Sequence, residues 1–493
     1  MKFKNVKEIE DKYGEIYRAN RDNGTVRDFN TQTAAYCYAL ENNIIYEHID
    51  KVFYCYKNDT GIWSELLQDE LIDNISLYIH EIAVDEELPA LDQYRKNSIF
   101  KEMITYLKTA CRQDEFFATQ NKIFIHCRNT MLVWNSESKQ WDTVDFAPEF
   151  YSRHALPIDY NPQAEAMRFK NELLKPLLLD DDIGLLQQYC GQCLIGRNIT
   201  QSILLMIGSG GSGKGTLANI VEALVGEDNY TQIRPEQMLN RFESSFFRGK
   251  TLLSGKESNT SFFSSKGMHT LKSLVGDDKL RVELKNSNRH AMINGTYNVF
   301  IVGNTPPMLE FESQDDMSAW QRRLRFIRCR SHKPAAPIPD FAQILLQTEG
   351  SGILNWALSG AEIILRSGSS RLPCSEHQRA VLKFLFQSSD PLIYFLTEFV
   401  EKKHGVYISG EELFCAFTEF MEVMELNTWT QRQFQKSAPE AMLQLFQTPL
   451  RRDIKRRTSD GRLTNRSGYA HVAFKNQIEW KCMFRMVCMQ NLS

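Results

Sequence analysis

The sequence lacks any uninterrupted apolar run of the ~18–20 residues that a membrane helix requires. It also lacks internal repeats and low-complexity tracts, which excludes solenoid and fibrous architectures. No sign of charge is in excess: 58 Lys and Arg against 61 Asp and Glu leave a net charge of −3. The chain as a whole is therefore not a polyanion binder, and any nucleic-acid contact has to come from local basic patches. No signal peptide opens it, because MKFKNVKEIEDKYGEIY is charged and amphipathic. Its 11 cysteines follow no disulfide framework and read as reduced thiols of a cytoplasmic protein. Cys190 and Cys193 in YCGQC form a close pair, but no further ligands stand at zinc-site spacing, so they read as two thiols on a core helix.

What is present is ordinary globular composition, with 42% hydrophobic and 24% charged residues over 493 positions. That length predicts about three domains of roughly 150 residues each. Near the start, KVFYCYK followed by NDTG predicts a strand and a tight turn. From NKIFIHCRNTMLVW to Phe146 a second strand pair is expected, turning at NSESKQW. Helical periodicity then runs through FKNELLKPLLLDDDIGLLQQYCGQCLIG to residue 195. Over 200–330, SILLMIG, KTLLSG and NVFIVGN are short apolar runs that each end in glycine or a polar residue. This is the pattern of a sheet buried on both faces by helices. HKPAAPIPD (332–340) reads as a loop and RSGSSRLP (366–373) as a linker. The last 120 residues read as helices followed by a hairpin. SGEE (409–412) and TQRQ (430–433) fit capping boxes, and two extended runs flank the turn signal SDGR.

The chemistry concentrates in GSGGSGKGT, Gly208 to Thr216, which satisfies G-x-x-x-x-G-K between a strand and a helix. Gly208, Gly210, Gly211, Ser212 and Gly213 let backbone N–H groups converge on an anion. The helix N-terminus adds positive charge, and Lys214 reaches the β- and γ-phosphates of a nucleotide. Gly215 stands where a Mg²⁺-holding hydroxyl normally follows the lysine, so the role passes to Thr216 or a water. In RGKTLLSGKESN a strand leads to Glu257, a carboxylate placed to polarise water or bind the metal's water shell. Many ATPases carry two adjacent acids there; this chain has Lys256 beside one. YNVFIVGNTPP ends a third strand at Asn304, an amide able to orient water and sense the γ-phosphate. Arg322 and Arg323 in DDMSAWQRRLRF are candidates for an arginine finger reaching a neighbouring subunit's nucleotide.

This order of motifs resembles the superfamily 3 helicases of the AAA+ class, and is most similar to the phage and plasmid primase-helicase branch related to poxviruses. LKSLVGDDKLRVELKNSNRH (271–290) resembles that family's element between two strands, with Gly276–Asp277 before a β-hairpin. The resemblance implies that Lys285 grips DNA in the ring's pore, with Arg289 and His290 as neighbours. It covers 110–475 in motif order and is specific in 200–330.

The implied fold class is α/β, an AAA+ P-loop ATPase core with three further parts. These are an N-terminal α+β domain (1–110), a helical collar region (111–195) and a C-terminal winged-helix domain (375–493), the core itself spanning 196–365. Residues 451–466 hold seven Arg/Lys against two Asp, so Arg451, Arg452, Lys455, Arg456 and Arg457 are expected to meet phosphates. The expected activity is ATP hydrolysis with Mg²⁺, held through Thr216 and Glu257. It would drive 3′→5′ translocation on single-stranded DNA by a homo-hexamer in phage, prophage or satellite replication. Single-stranded and origin DNA are the expected partners, with no membrane. No primase domain is evident in the first 100 residues, so priming falls to a separate polypeptide or a reduced form within the chain. Two alternatives stay open: an ATP-switched origin-binding initiator without unwinding, and a P-loop small-molecule kinase.

Overall fold

The structure, a computed structural model, describes residues 4–20, 24–48, 51–114, 116–118, 122–234, 238, 243–258, 265–283, 290–305, 309, 314–331, 336–388, 391–423, 428–457 and 463–475. Within these, the side chains of 257–258, 265–268, 290–291, 314–315, 383–384, 387–388, 423, 454–457 and 463–465 are not described. Two compact units result. One comprises Met1–Ala166, Val221–Asn229 and Ile344–Arg366, and the other Met167–Ile220, Tyr230–Gln343 and Ser367–Ser493.

The first unit contains helices α1 (Val6–Tyr13), α2 (Thr31–Glu41), α3 (Gln68–Asp85) and α4 (Asn97–Ala110). Strands β1 (Tyr17–Asn20) and β2 (Thr25–Phe29) form a hairpin. Strands β3 (Ile44–Glu47), β4 (Val52–Lys57), β5 (Ile62–Leu66) and β6 (Arg112–Gln113) make a sheet ordered β5-β4-β3-β6. Helix α2 begins where the Asn30 side chain accepts from Thr33 N, and small and aromatic residues let it be buried almost all round. The core joins Tyr38, Tyr46, Ile75, Ile79, Phe100 and Leu107. Strands β7 (Phe124–His126), β8 (Met131–Asn135) and β9 (Gln140–Val144) form a meander where a strand pair was expected. The run NKIFIHCRNTMLVW folds back on itself at Arg128–Asn129, because His126 pairs with Met131. His126 is a satisfied core histidine, bonded to Ser152 Oγ (2.7 Å) and Thr60 O (2.9 Å), and burial lowers its pKa.

The second unit opens with a π-helical segment, Phe169–Leu174, running into α5 (Lys175–Leu177). The periodic stretch to residue 195 is two helices, not one. Leu178 is extended (φ −127°, ψ 160°), and α6 (Asp180–Ile195) starts afresh on three aspartates that favour a helix N-terminus. Region 111–195 therefore has its longer helices only in its last third, with strands and two single 3-10 turns, Phe116–Ala118 and Pro148–Phe150, earlier. Cys190 and Cys193 are buried on α6, and burial raises both thiol pKa values.

Strands β10 (Ile203–Ile207), β11 (Tyr230–Gln232) and β12 (Leu252–Ser258) follow, with α7 (Lys214–Val225) after β10 and α8 (Ser265–Val275) after β12. Next come a hairpin of β13 (Lys279–Glu283) and β14 (His290–Asn294), β15 (Asn298–Gly303), α9 (Gln314–Arg323) and β16 (Leu324–Arg328). Five strands form a parallel sheet ordered β11-β12-β15-β10-β16. The apolar runs of β10, β12 and β15 are three of them, while β11 and β16 are additional. Every residue of β10 is buried, as expected of a strand covered on both faces. Beneath the strand starts, buried Gln192 donates to Asn298 Oδ1 (2.8 Å) and Asn198 Oδ1 (3.0 Å), and accepts from Thr200 Oγ1 (2.7 Å).

The chain continues through α10 (Phe341–Ser367), α11 (Glu376–Ser388), α12 (Pro391–Phe399), β17 (Val400–Ser409), α13 (Gly410–Val423), α14 (Gln431–Phe446), β18 (Arg451–Arg457) and β19 (Leu463–Phe474). Ser409 with Glu412, and Thr430 with Gln433, form reciprocal caps opening α13 and α14. The sheet is ordered β17-β19-β18, so the hairpin gains a third strand. Phe395, Phe417, Phe420, Phe434 and Tyr469 centre a separate core. Among the described residues no helix is long and apolar enough to cross a membrane.

Candidate functional site

At the C-terminal end of β10 the chain leaves the sheet as the glycine loop and re-enters order as α7. Gly211 (φ +78°) and Gly213 (φ +104°) adopt left-handed backbone that side chains resist, the kind of conformation in which successive N–H groups can converge on an anion. Lys214 is 5% exposed and donates to Gly208 O (2.7 Å), Ser209 O (2.7 Å) and Ser212 Oγ (3.4 Å). Burial lowers its pKa, with the Cys329 thiol opposing. Its hydrogen-bond partners are carbonyls and a hydroxyl and none is a carboxylate, so they leave the ammonium's charge uncompensated at the helix N-terminus, where an anion would replace them.

A cleft of about 580 Å³ opens over this loop. Residues 210–216, Lys256 and Asn304 line one side; Pro176, Pro337, Ile338 and Phe341 give it an apolar wall. Asn304, just past β15, sits between the loop strand β10 and the acid-bearing strand β12, because β15 separates them. With strands ~4.8 Å apart, an acid two strands from the loop leaves a gap of about 10 Å, room for a phosphate and a water. Glu257 is the last residue but one of β12, directly after cleft-lining Lys256; its side chain lies outside the described residues. Thr216 lines the cleft, whereas Gly215 contributes no hydroxyl. Gly208 stays behind the loop, packed against Cys329.

Arg322 and Arg323 end α9 and are not among the described residues lining the cleft of their own chain. Arg322 is exposed; half-buried Arg323 donates to Ala319 O (3.2 Å), and burial lowers its pKa, with Arg322 adding to the effect. The hairpin base nearby is tightly set. Asp277 (φ +66°) donates through N to Gly295 O (2.9 Å), and Gly295 N returns a bond to Asp278 O (2.8 Å). Lys285 and Arg289 lie outside the described residues, as does the His290 side chain, although β13 and β14 flank that segment in antiparallel register.

In the C-terminal part Arg451 and Arg452 are exposed on β18, Arg451 pairing with Asp453 at 2.7 Å. Lys455, Arg456 and Arg457 continue the strand, their side chains outside the described residues. The sequence reading missed the exposed face of α14, with Gln431, Arg432, Gln435 and Lys436; the polar positions of an amphipathic helix were its only signal. It also missed the apolar wall of the cleft, whose residues are scattered along the chain. Among the described residues no cluster of His, Cys, Asp and Glu could hold a metal by itself.

Two family models match. One, described as D5 N terminal like, covers residues 35–175; the other, a family of unknown function (DUF5906), covers 206–323 and so includes the loop lysine, Glu257 and Asn304. No curated protein matches the sequence. Among solved structures, the apo C-terminal region of NrS-1 in its A form aligns at a TM-score of 0.48 with 13% identity, over 88% of this chain and 98% of that one. Another apo structure of the NrS-1 C-terminal region aligns at 0.46 with 14% identity, over 87% and 95%. A superposition this loose transfers neither fold nor function.

Proposed function

We propose that the chain is an ATP-hydrolysing replicative DNA helicase of the phage and viral primase-helicase type, acting as a ring. D5 N-terminal-like regions are typical of such proteins, and this supports a role in phage-type DNA replication. The observation that carries the reading is the cleft itself: a strand–loop–helix phosphate cradle with buried Lys214, flanked by Asn304 and bounded by an apolar wall suited to a nucleobase.

In this reading the amides of 210–216 and Lys214 hold the triphosphate, and Thr216 with Glu257 fits the reduced donor set for Mg²⁺. The metal when bound neutralises phosphate charge. Glu257 accepts a proton from the attacking water, and Asn304 orients that water and reads the γ-phosphate. Arg323, or Arg322, reaches a neighbouring subunit's nucleotide, consistent with neither being among the described residues that line the chain's own cleft. The strand order, with β15 between loop strand and acid strand, supports an AAA+ core.

Lys285, with Arg289 and His290, meets single-stranded DNA from the stretch of sequence between β13 and β14. The C-terminal order helix–strand–helix–helix–strand–strand, α12 to β19, supports a winged helix. There α14 presents Gln431, Arg432, Gln435 and Lys436 to origin DNA while Arg451, Arg452, Lys455, Arg456 and Arg457 follow phosphates. A hexamer moving 3′→5′, with priming on a separate primase, completes the proposal.

The test is ATP hydrolysis with and without single-stranded DNA, together with unwinding of a tailed duplex, for wild type and Lys214→Ala. DNA-stimulated turnover and unwinding, both lost in the variant, are expected; Lys285→Ala should then lose stimulation but keep basal turnover. Turnover indifferent to DNA, without unwinding, would overturn the helicase and favour the ATP-switched initiator. Phosphate transfer to a small acceptor would favour a kinase.

A further inference from the structure

The cleft holds a second cation that the hydrolytic scheme leaves unused. Lys256 precedes Glu257 on β12, lines the cleft, and donates from Nζ to Asn219 Oδ1 at 2.7 Å. Asn219 stands on α7 three residues beyond Thr216 and four beyond Gly215, so the three share one helix face. Helical side chains lean toward the N-terminus, so Asn219 steers the ammonium toward the turn that carries Gly215 and Thr216. At Gly215 a Cβ would meet nothing within 4 Å, so this corner is open.

Two departures from the common phosphate-site pattern therefore act in one direction at one place. A hydroxyl that would ligate the metal is missing at Gly215, and a cation occupies the position beside Glu257 where a second acid would strengthen metal binding. Both weaken the cleft's hold on a divalent ion, and the lysine replaces some of the positive charge that is lost. Resting on the nucleotide reading above, we infer that Lys256, held by Asn219, supplies part of the charge that Mg²⁺ otherwise brings to a triphosphate, so that nucleoside triphosphates bind this cleft with only weak dependence on divalent cation. A merely structural Lys256–Asn219 bond, pinning β12 to α7, would affect stability and leave metal dependence alone.

The experiment titrates the full-length protein with a ribose-labelled fluorescent ATP, followed by anisotropy, in Mg²⁺ and in EDTA. Wild type should bind in EDTA within about tenfold of its Mg²⁺ affinity, the scale expected for one added charge near the phosphates. Lys256→Ala and Asn219→Ala should lose about tenfold or more in EDTA but under about threefold in Mg²⁺, and Lys256→Arg should restore most of the loss. Equal losses in both conditions, or none in either, overturn the inference. If wild type binds in Mg²⁺ alone and the variants match it, the inference falls while the ATPase reading stands. If wild type binds in neither condition, or Lys214→Ala binds as well as wild type, the nucleotide reading falls and takes the inference with it.

Discussion

Gly208→Ala tests how the phosphate loop is seated. A Cβ at Gly208 would lie 2.7 Å from Cys329 Cβ. Carbon atoms in contact sit about 3.5–4.0 Å apart, so the ends of β10 and β16 must separate by about 1 Å. They are not free to do so. Cys329 N donates to Ile207 O at 2.7 Å, and the two strands pair in parallel register from Ile203 with Leu324 to Ile207 with Arg328. The obstacle is a Cβ, not the movable end of a side chain, so the cost is that of overpacking, about 1–3 kcal/mol. Because the loop starts at this residue, the displacement passes to the amides and Lys214, and nucleotide affinity should fall about tenfold, equivalent to about 1.4 kcal/mol. Cys329→Gly removes the clashing atom, so the double variant should recover affinity, with a coupling of about 1–2 kcal/mol between the sites. Nucleotide anisotropy and thermal unfolding of the four proteins measure both effects. Wild-type behaviour of Gly208→Ala, or no relief from Cys329→Gly, would refute this packing of loop against β16.

Four further outcomes are expected. Gly295→Ala would bring a Cβ to 1.8 Å from Ser273 O, so the base of the β13–β14 hairpin must shift; DNA stimulation of ATPase should drop while nucleotide affinity holds, and unchanged stimulation would count against the hairpin's role. Gln192→Leu removes the bonds Gln192 makes to Asn298 Oδ1, Asn198 Oδ1 and Thr200 N and Oγ1, although Asn198 and Thr200 keep their bonds to Ser202, and should cost about 3 kcal/mol, read by denaturant unfolding; a cost below about 1 kcal/mol would contradict the network. Burial raises the pKa of Asp182, whose Oδ2 has no partner, so its ionisation opposes folding. Its favourable contribution is full below the unfolded value of about 3.9 and is lost as pH rises through the folded value, so Asp182→Asn should raise Tm at pH 7 and leave it unchanged below about pH 4; a Tm that does not rise at pH 7 would contradict the burial of the ionised carboxylate. Arg323→Ala should lower kcat by ~10³-fold with unchanged nucleotide affinity if it acts on a neighbour's nucleotide, and mixing with Lys214→Ala should restore part of the activity; a loss under about tenfold would dismiss the finger.

The elements that were legible are those built from neighbouring residues. The glycine loop is one continuous run of glycines and a lysine, so its backbone geometry is local and its sequence is explicit. The caps at Ser409 and Thr430 span three residues and could be read for the same reason. Strands β10, β12 and β15 showed as apolar runs because both faces of that sheet are covered. Strand β16 did not, since LRFIR carries an arginine inside: Arg325 is 5% exposed and is tolerated because it donates hydrogen bonds to Leu372 O, Arg322 O and Leu324 O, distant and local carbonyls. The break at Leu178 was hidden because the apolar period continues across it, while the three aspartates after it mark a new helix start. Strand β17 carries charge and a glycine, and four residues, Lys403 to Val406, oppose the single His471, so no alternation survives.

The sequence by itself determined that a glycine-rich turn ending in a lysine sits between a buried strand and a helix, with an acid and an amide following on later strands, because each is encoded within a few residues. Only the tertiary structure decided the strand order that sets Asn304 between loop and acid strand, and the apolar wall from Pro176, Ile338 and Phe341. It also decided the bond from Lys256 Nζ to Asn219 Oδ1, and that Arg323 is not among the described residues lining its own cleft. These depend on which distant segments a parallel sheet brings side by side, and side-chain packing settles that choice only when the whole chain is folded.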